Sequence, residues 1–409
     1  MRFLTSLMLC LVLQACATVG HERVLTSGSG QAGARQLDAT LQIYVPAHTL
    51  DEAFILDFAD GEQMTLTPGL DLQAAAQTVS NNFFSESGPL SLDKPADFIL
   101  KLTGDSYLSY QDKNQIKGVL NAQLLGANGE TLYSGEITRG RRSNTIDQHA
   151  YYGVYALAVQ DFLEKMMAEK SAELEHYLQT QPSRSPQLAT LIDNQILDVS
   201  STGTGFFINN SGNVITNQHV VGQCIAVTIA VDGDTVLTRL VKGDQERDIA
   251  VLESPVRNPH YALFNENANG ERLGENVLAL GFPLYGVLSS SINLTTGNIS
   301  SLLGVQDDEN VYQITAPIQA GNSGGPVINQ RGLVAGVVQS KLNALELSRY
   351  TGDLAQNVNF AIKSSHIKRF LLDNNIAYHT RSYADSRERS TVDLAEEARG
   401  YTVQIKCHG

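Results

Sequence analysis

Gly321-Asn322-Ser323-Gly324-Gly325-Pro326 sets one serine among three glycines and closes on a proline. Glycine permits the tight backbone that turns successive N–H groups toward one point. That is the requirement of an oxyanion hole, with the amides of Gly321 and Ser323 as donors. A serine hydroxyl is a weak nucleophile at neutral pH. It needs a base within hydrogen-bond reach, and the base needs a group that fixes its tautomer and stabilises the imidazolium. Working outward, two earlier stretches supply those groups. Gly203-Thr204-Gly205-Phe206-Phe207-Ile208 and Asn213-Val214-Ile215-Thr216 read as two strands joined at Ser211-Gly212. They would deliver His219 at a strand end. Asp248 opens the apolar run Ile249-Ala250-Val251-Leu252. Asp244 lies four residues earlier and competes for the same role, but Asp248 directly precedes the strand. His260, His366 and His379 lack such company and are expected at the surface.

The chain order is His219, Asp248, Ser323, the order of the chymotrypsin-like fold; subtilisin and the α/β-hydrolases order the same groups differently. From about residue 188 many short apolar runs are separated by Gly, Asn and Asp, which predicts an all-β unit, sandwich or barrel. Thr204-Gly205-Phe206, Thr216-Asn217-Gln218-His219-Val220-Val221, Asp248-Ile249-Ala250-Val251-Leu252, Gly281-Phe282-Pro283, Gly321-Asn322-Ser323-Gly324-Gly325-Pro326 and Asn359-Phe360-Ala361-Ile362 follow in register. With these motifs, residues 199–370 resemble the protease domain of the HtrA/DegP group of trypsin-like serine proteases. The resemblance implies a double β-barrel and peptide hydrolysis without a cofactor. That group commonly carries PDZ domains after the protease. About 40 residues follow Ile367, too few for one, so peptide-sensing regulation is not carried over. The resemblance also places the substrate pocket at Pro317, six positions before the serine, with Ile318, Val337 and Val338. None of the four is charged, so small or medium aliphatic residues are expected before the cut. In digestive relatives an aspartate precedes the catalytic serine and pairs with a new N-terminus. Here that residue is Asn322, and no activation cleavage is expected.

The rest of the chain reads as packaging for that unit. Arg2, the apolar stretch Phe3–Leu13 and the small residues Ala15, Cys16 and Ala17 have the layout of an export signal. Leu13-Gln14-Ala15-Cys16 resembles a bacterial lipobox, which makes 1–15 a signal peptide and Cys16 a lipidated first residue; an ordinary signal cut after Ala17 is the alternative. Ala17, not Asp, follows the cysteine, which implies the outer membrane, with the protein facing the periplasm or the surface. Residues 16–35 are a tether. Residues 36–178 read as a small α+β accessory domain. Helical spacing runs from Leu70 to Phe84, and Asn128-Gly129 marks a hairpin. One long helix, or two, spans Asp147–Leu178. His149 and His176 stand alone in it. The polar, twice-proline stretch 179–187 is a linker, and 188–409 forms the protease domain.

Composition limits the alternatives. The 409 residues carry a net charge of −14, with 42% hydrophobic and 18% charged residues. That can build real cores, and the acidic balance makes a general nucleic-acid binder unsuitable. No apolar run after residue 15 reaches the ~18–20 residues of a membrane span. No Cys-x-x-Cys pair or other metal spacing occurs, so no metal is expected. Cys224 and Cys407 remain in the protease unit. Export makes a disulfide plausible, the alternative being two buried thiols. The resulting expectation is a secreted or lipid-anchored serine endopeptidase acting on misfolded or envelope polypeptides. Two rivals are a protease-like scaffold that holds unfolded proteins without cutting them, and an esterase using the same triad.

Overall fold

A computed structural model describes residues 36–57, 61–109, 115–142, 146–181, 185–186, 188–267, 271–283, 291–341 and 358–409. The expected signal, the lipidation site Cys16 and the tether lie outside the described residues. Two compact units are formed, one ending at Ile196 and one beginning at Leu197.

The first unit runs β1 (Leu37–Tyr44), α1 (Ala47–Leu50), β2 (Phe54–Asp57), β3 (Gln63–Leu66), α2 (Pro68–Ser80), β4 (Phe84–Pro89), β5 (Phe98–Ser109), β6 (Gln115–Gly126), β7 (Thr131–Arg142), α3 (Tyr152–Thr180) and α4 (Leu188–Asp193). Its main sheet has the order β4-β1-β5-β6-β7. β1 is parallel to both neighbours, and β5, β6 and β7 are antiparallel. The stripe Leu72, Ala75, Ala76 and Val79 of α2 is buried in one cluster with Tyr155, Ala158, Phe162 and Met166 of α3 and Leu100, Leu102 and Leu120 of the sheet. This is an α+β unit. α2 is shorter than the spacing from Leu70 to Phe84 predicts. Pro68 suits its first turn, and the chain leaves the helix after Ser80 to enter β4 at Phe84. Phe83 is buried from the turn, not from the helix. α3 is one helix of 29 residues. The Asn128-Gly129 turn joins β6 to β7, with Gly129 at φ +84°.

The second unit contains β8 (Val199–Phe207), β9 (Asn213–Thr216), α5 (Gln218–Val221), β10 (Ala226–Val231), β11 (Asp234–Asp244), β12 (Ile249–Glu253), β13 (Leu263–Asn265), β14 (Asn276–Gly281), β15 (Asn293–Ser301), β16 (Val311–Ile314), β17 (Pro326–Asn329), β18 (Leu333–Lys341), β19 (Asn359–Lys363), β20 (His379–Arg381) and β21 (Thr402–His408). β10-β11-β12-β9-β8-β21 form a closed barrel, with every neighbour antiparallel. A second ring runs β17-β14-β15-β16-β19-β18 and closes where β17 pairs with β18. β13 and β20 extend it beside β18 in parallel pairing. Closure removes the unpaired edges that short apolar strands would otherwise expose. The result is the expected chymotrypsin-like double barrel. Phe207, Val214, Leu252 and Ile405, fully buried, share the inner face of the first barrel; Ala279, Ile314, Val327 and Val338 line the interior of the second. Helix Ser364–Asp373 follows β19, and helix Thr391–Arg399 leads into β21.

Candidate active site

His219 lies in α5, a single turn directly after β9, and not at a strand end as the sequence suggests. β9 pairs antiparallel with β12, Thr216 opposite Ala250. The segments that continue past this paired end therefore carry His219 and Asp248 side by side. Asp248 adopts φ +53°, a left-handed conformation that Asp tolerates better than most residues. Its backbone carbonyl accepts from Asn217 Nδ2 at 2.9 Å. Its carboxylate Oδ1 accepts from the His219 amide at 3.0 Å, and both carboxylate oxygens lie 2.9 Å from His219 Nδ1. An ionised carboxylate only accepts, so Nδ1 carries the proton and Nε2 of the neutral ring is the acceptor. The carboxyl side chain is 15% exposed and the imidazole 50%. Asp244 is engaged elsewhere: it accepts from the Arg247 amide at 2.9 Å and pairs with the guanidinium at 3.5 Å.

Ser323 sits on the turn between β16 and β17. The first barrel closes on that turn from the histidine side. A Cβ added to Gly324 would stand 2.2 Å from Thr216 Oγ1 and 3.1 Å from the Asn217 amide. One added to Gly203 would stand 2.5 Å from Val220 and 3.3 Å from the Ser323 carbonyl. The serine turn thus packs against Thr216 and Asn217, which lead into the histidine segment. The Ser323 hydroxyl donates to the Gln339 carbonyl at 3.2 Å. Among the described residues no hydrogen bond joins it to His219. Such contacts tighten when substrate binds, so an open resting geometry is compatible with a proton transfer.

The glycines meet a conformational demand. Asn322 N donates to Gln319 O at 3.1 Å, which makes 319–322 a turn with Gly321 at φ +96° in its third position. That position of a type II turn requires φ above zero, hence Gly. Gly324, at φ +86°, donates to Val338 O at 2.9 Å, and Gly325 donates to Asn322 O at 2.9 Å. Among the described residues the amides of Gly321 and Ser323 donate no backbone hydrogen bond. They are the two groups expected to face an oxyanion.

Residues 203–337 match the family described as "Trypsin-like peptidase domain". The second unit is thus similar to a trypsin-like peptidase domain. Three relatives show the range of proteins this chain is similar to. "Uncharacterized protein y4bJ" of Sinorhizobium fredii is 39% identical over 56% of this chain and 35% of its own length. "Magnetosome formation protease MamE" of Paramagnetospirillum magneticum is 30% identical over 43% of this chain and 24% of its own length. "Probable periplasmic serine endoprotease DegP-like" of Brucella suis is 35% identical over 41% of this chain and 31% of its own length. The chain therefore spans about a quarter to a third of the length of these relatives, and the likeness is to an HtrA-like protease domain.

Inside the second unit the four expected pocket residues separate. Ile318 and Val338 share one buried cluster, Val337 belongs to another, and Pro317 is exposed. Cys224 and Cys407 are joined by a disulfide with Cα atoms 5.2 Å apart. Among the described residues no group of three His, Cys, Asp or Glu side chains is placed to hold a metal ion. No helix among them is long and apolar enough to cross a membrane. Of the single histidines, His149 contacts the buried Asp71 carboxylate at 3.1 Å in the first unit. Burial and the nearby Arg247 charge push His366 down from its ordinary pKa.

Two polar residues of the site are absent from the sequence-level assignment. Thr204 is fully buried against the serine turn, and Asn217 holds the backbone of Asp248. Both stand inside motifs whose register is plain in the sequence. Their partners are backbone groups far along the chain, and those carry no sequence signature.

Proposed function

We propose that the chain is an exported serine endopeptidase in which Ser323 is the nucleophile, His219 the general base and acid, and Asp248 the residue that orients the histidine. Ser323 Oγ bonds to the scissile carbonyl carbon while its proton passes to His219 Nε2. Charge moves onto the carbonyl oxygen, where the amides of Gly321 and Ser323 stabilise it. The imidazolium, held by Asp248, gives the proton to the leaving amine, and the C–N bond breaks. Water, deprotonated by His219, then attacks the acyl-enzyme and releases the acid with Ser323 restored. The observation that carries this reading is the Asp248 carboxylate accepting from both the ring and the amide of His219.

The relatives' names support peptide substrates and an envelope location. Misfolded or envelope polypeptides are the proposed substrates, with small or medium aliphatic residues before the cut. Anchoring in the outer membrane through Cys16 belongs to the same proposal. The test is active-site labelling. A fluorophosphonate probe should label the wild-type protein at Ser323, and casein should be cleaved. Ser323→Ala should abolish both. Labelling without casein cleavage would favour the esterase reading, and absence of labelling in a folded protein would favour the scaffold.

A further inference from the structure

Thr204 holds both ends of the nucleophile turn, and we infer that it is the positioning residue of the oxyanion hole; the inference rests on the reading of Ser323 as the nucleophile. Thr204 belongs to β8, in the first barrel, while the turn belongs to the second. It is fully buried. Its amide donates to the Ser323 carbonyl at 2.9 Å. Its hydroxyl lies 2.7 Å from the Gly321 carbonyl and 3.0 Å from the Phe282 amide nitrogen. A hydroxyl has one proton, and the Phe282 N–H is itself a donor. The Thr204 proton is therefore directed at Gly321 O. Its own carbonyl accepts from Thr216 Oγ1 at 2.8 Å, which fixes its peptide plane in turn.

Every buried backbone donor and acceptor needs a partner, and each peptide is a rigid plane. In the plane between Gly321 and Asn322, the oxygen is held by Thr204 and the N–H by Gln319 O. The plane between Asn322 and Ser323 is held at its oxygen by the Gly325 amide. In the plane between Ser323 and Gly324, the oxygen is held by the Thr204 amide and the N–H by Val338 O. With the carbonyls committed on the inner side, the amides of Gly321 and Ser323 remain for the substrate. Without the Thr204 hydroxyl the Gly321 carbonyl loses its partner. A glycine at φ +96° then has little to stop the turn rotating.

The choice of threonine over serine follows from its second branch. A Cβ on Gly325 would meet Thr204 Cγ2 at 3.2 Å, so the methyl packs against the turn it serves. Two heavy atoms on Cβ also restrict χ1 and fix where the hydroxyl points. Gly281 is part of the same arrangement. A Cβ there would stand 2.6 Å from Asn322 Oδ1 and 2.9 Å from Thr204 Oγ1, so an alanine would push on both.

The experiment uses the full chain and four variants: Ser323→Ala, Thr204→Ala, Thr204→Ser and Gly281→Ala. Wild-type protein is first labelled with a fluorophosphonate. If it is not labelled at Ser323, the nucleophile reading fails and takes this inference with it. With labelling established, casein turnover is resolved into kcat and KM, alongside the labelling rate and the melting temperature. Displacing a reacting group by about an ångström costs up to roughly a hundredfold. Thr204→Ala is expected to lower kcat and the labelling rate by about ten- to a hundredfold, with KM within about threefold of wild type. Thr204→Ser should restore kcat to within about threefold, which a merely structural defect would not predict. Gly281→Ala should reproduce the kcat loss by pushing on Thr204 and Asn322 while leaving both residues in the sequence. A folded Thr204→Ala with kcat within threefold of wild type overturns the inference. So does a loss of kcat that serine does not rescue. Should Thr204→Ala fail to fold, Gly281→Ala decides: full kcat there overturns the inference, and a kcat-only loss supports it.

Discussion

Asp248 is placed so that its two oxygens serve one histidine, with the His219 amide as a further donor. Asp248→Asn would keep the shape and replace an acceptor by a donor facing Nδ1–H. Turnover should fall by about 10³–10⁴-fold while the fold is retained. Circular dichroism and casein cleavage check this together. Ser323→Ala, His219→Ala and Asp248→Ala should each remove most activity. Their combination should cost little more than the worst single change, because the three residues act as a unit. Additive losses in the triple variant would contradict that. The three proposed residues are legible in the sequence because acyl transfer restricts which side chains suffice and the chain order restricts where they fall. Thr204 and Asn217 are not, because each acts on a carbonyl that any residue could have supplied.

At the scale of elements, β21 pairs with β10 on one side and β8 on the other, and it closes the first barrel. The disulfide from Cys407 to Cys224 ties this strand just past α5, across a separation of 183 residues. Replacing both cysteines by serine should lower stability by about 2–5 kcal/mol, read from urea melting under oxidising conditions. His408 sits on the same strand, buried, with Nε2 2.9 Å from Thr228 Oγ1. Burial lowers its pKa below the ordinary 6.5. The stability this contributes is present above the unfolded value and is lost as pH falls through the lower folded value. The melting temperature should therefore drop between pH 7.5 and 5, and His408→Gln should drop less over the same interval. Equal slopes would exclude the histidine as the cause. The run Tyr401–Lys406 alternates apolar and polar residues, the pattern of a strand. Its position between β8 and β10 was not legible, because alternation gives a face and not a neighbour. For α2 the apolar spacing continued through Phe83, while the helix stops at Ser80. Periodicity reports burial, and a buried turn residue meets the same test as a helical one.

For the whole molecule, activation is the property most open to test. A buried ammonium needs an opposing charge to offset a desolvation cost of several kcal/mol. Asn322 offers none, and its Oδ1 is buried without a hydrogen bond. The intact chain should therefore titrate as active with a fluorophosphonate, with no rise after limited proteolysis near residues 186–203. An inert intact protein that is activated by clipping would refute this. For the proposed anchor, Cys16→Ser should release the protein from membranes or block its processing, and mass spectrometry of the mature N-terminus reads the outcome.

The wiring of the first barrel also sets a timetable. Five of its six strands are complete by Glu253, yet the remaining gap is filled only by residues 402–408. Every strand of the second barrel is nested between those points. A chain emerging from its N-terminus holds β8 and β10 as open edges until residue 408 is free. Contacts this distant in sequence form slowly, because a long loop must close before they are rewarded. His219 and Asp248 belong to the half that seals last, and Ser323 to the half that can finish first. A growing chain stopped between residues 323 and 402 therefore carries Ser323 beside an unsealed sheet. On the proposed mechanism, Ser323 therefore waits for its base: the barrel that carries His219 and Asp248 is sealed only when β21 is in place.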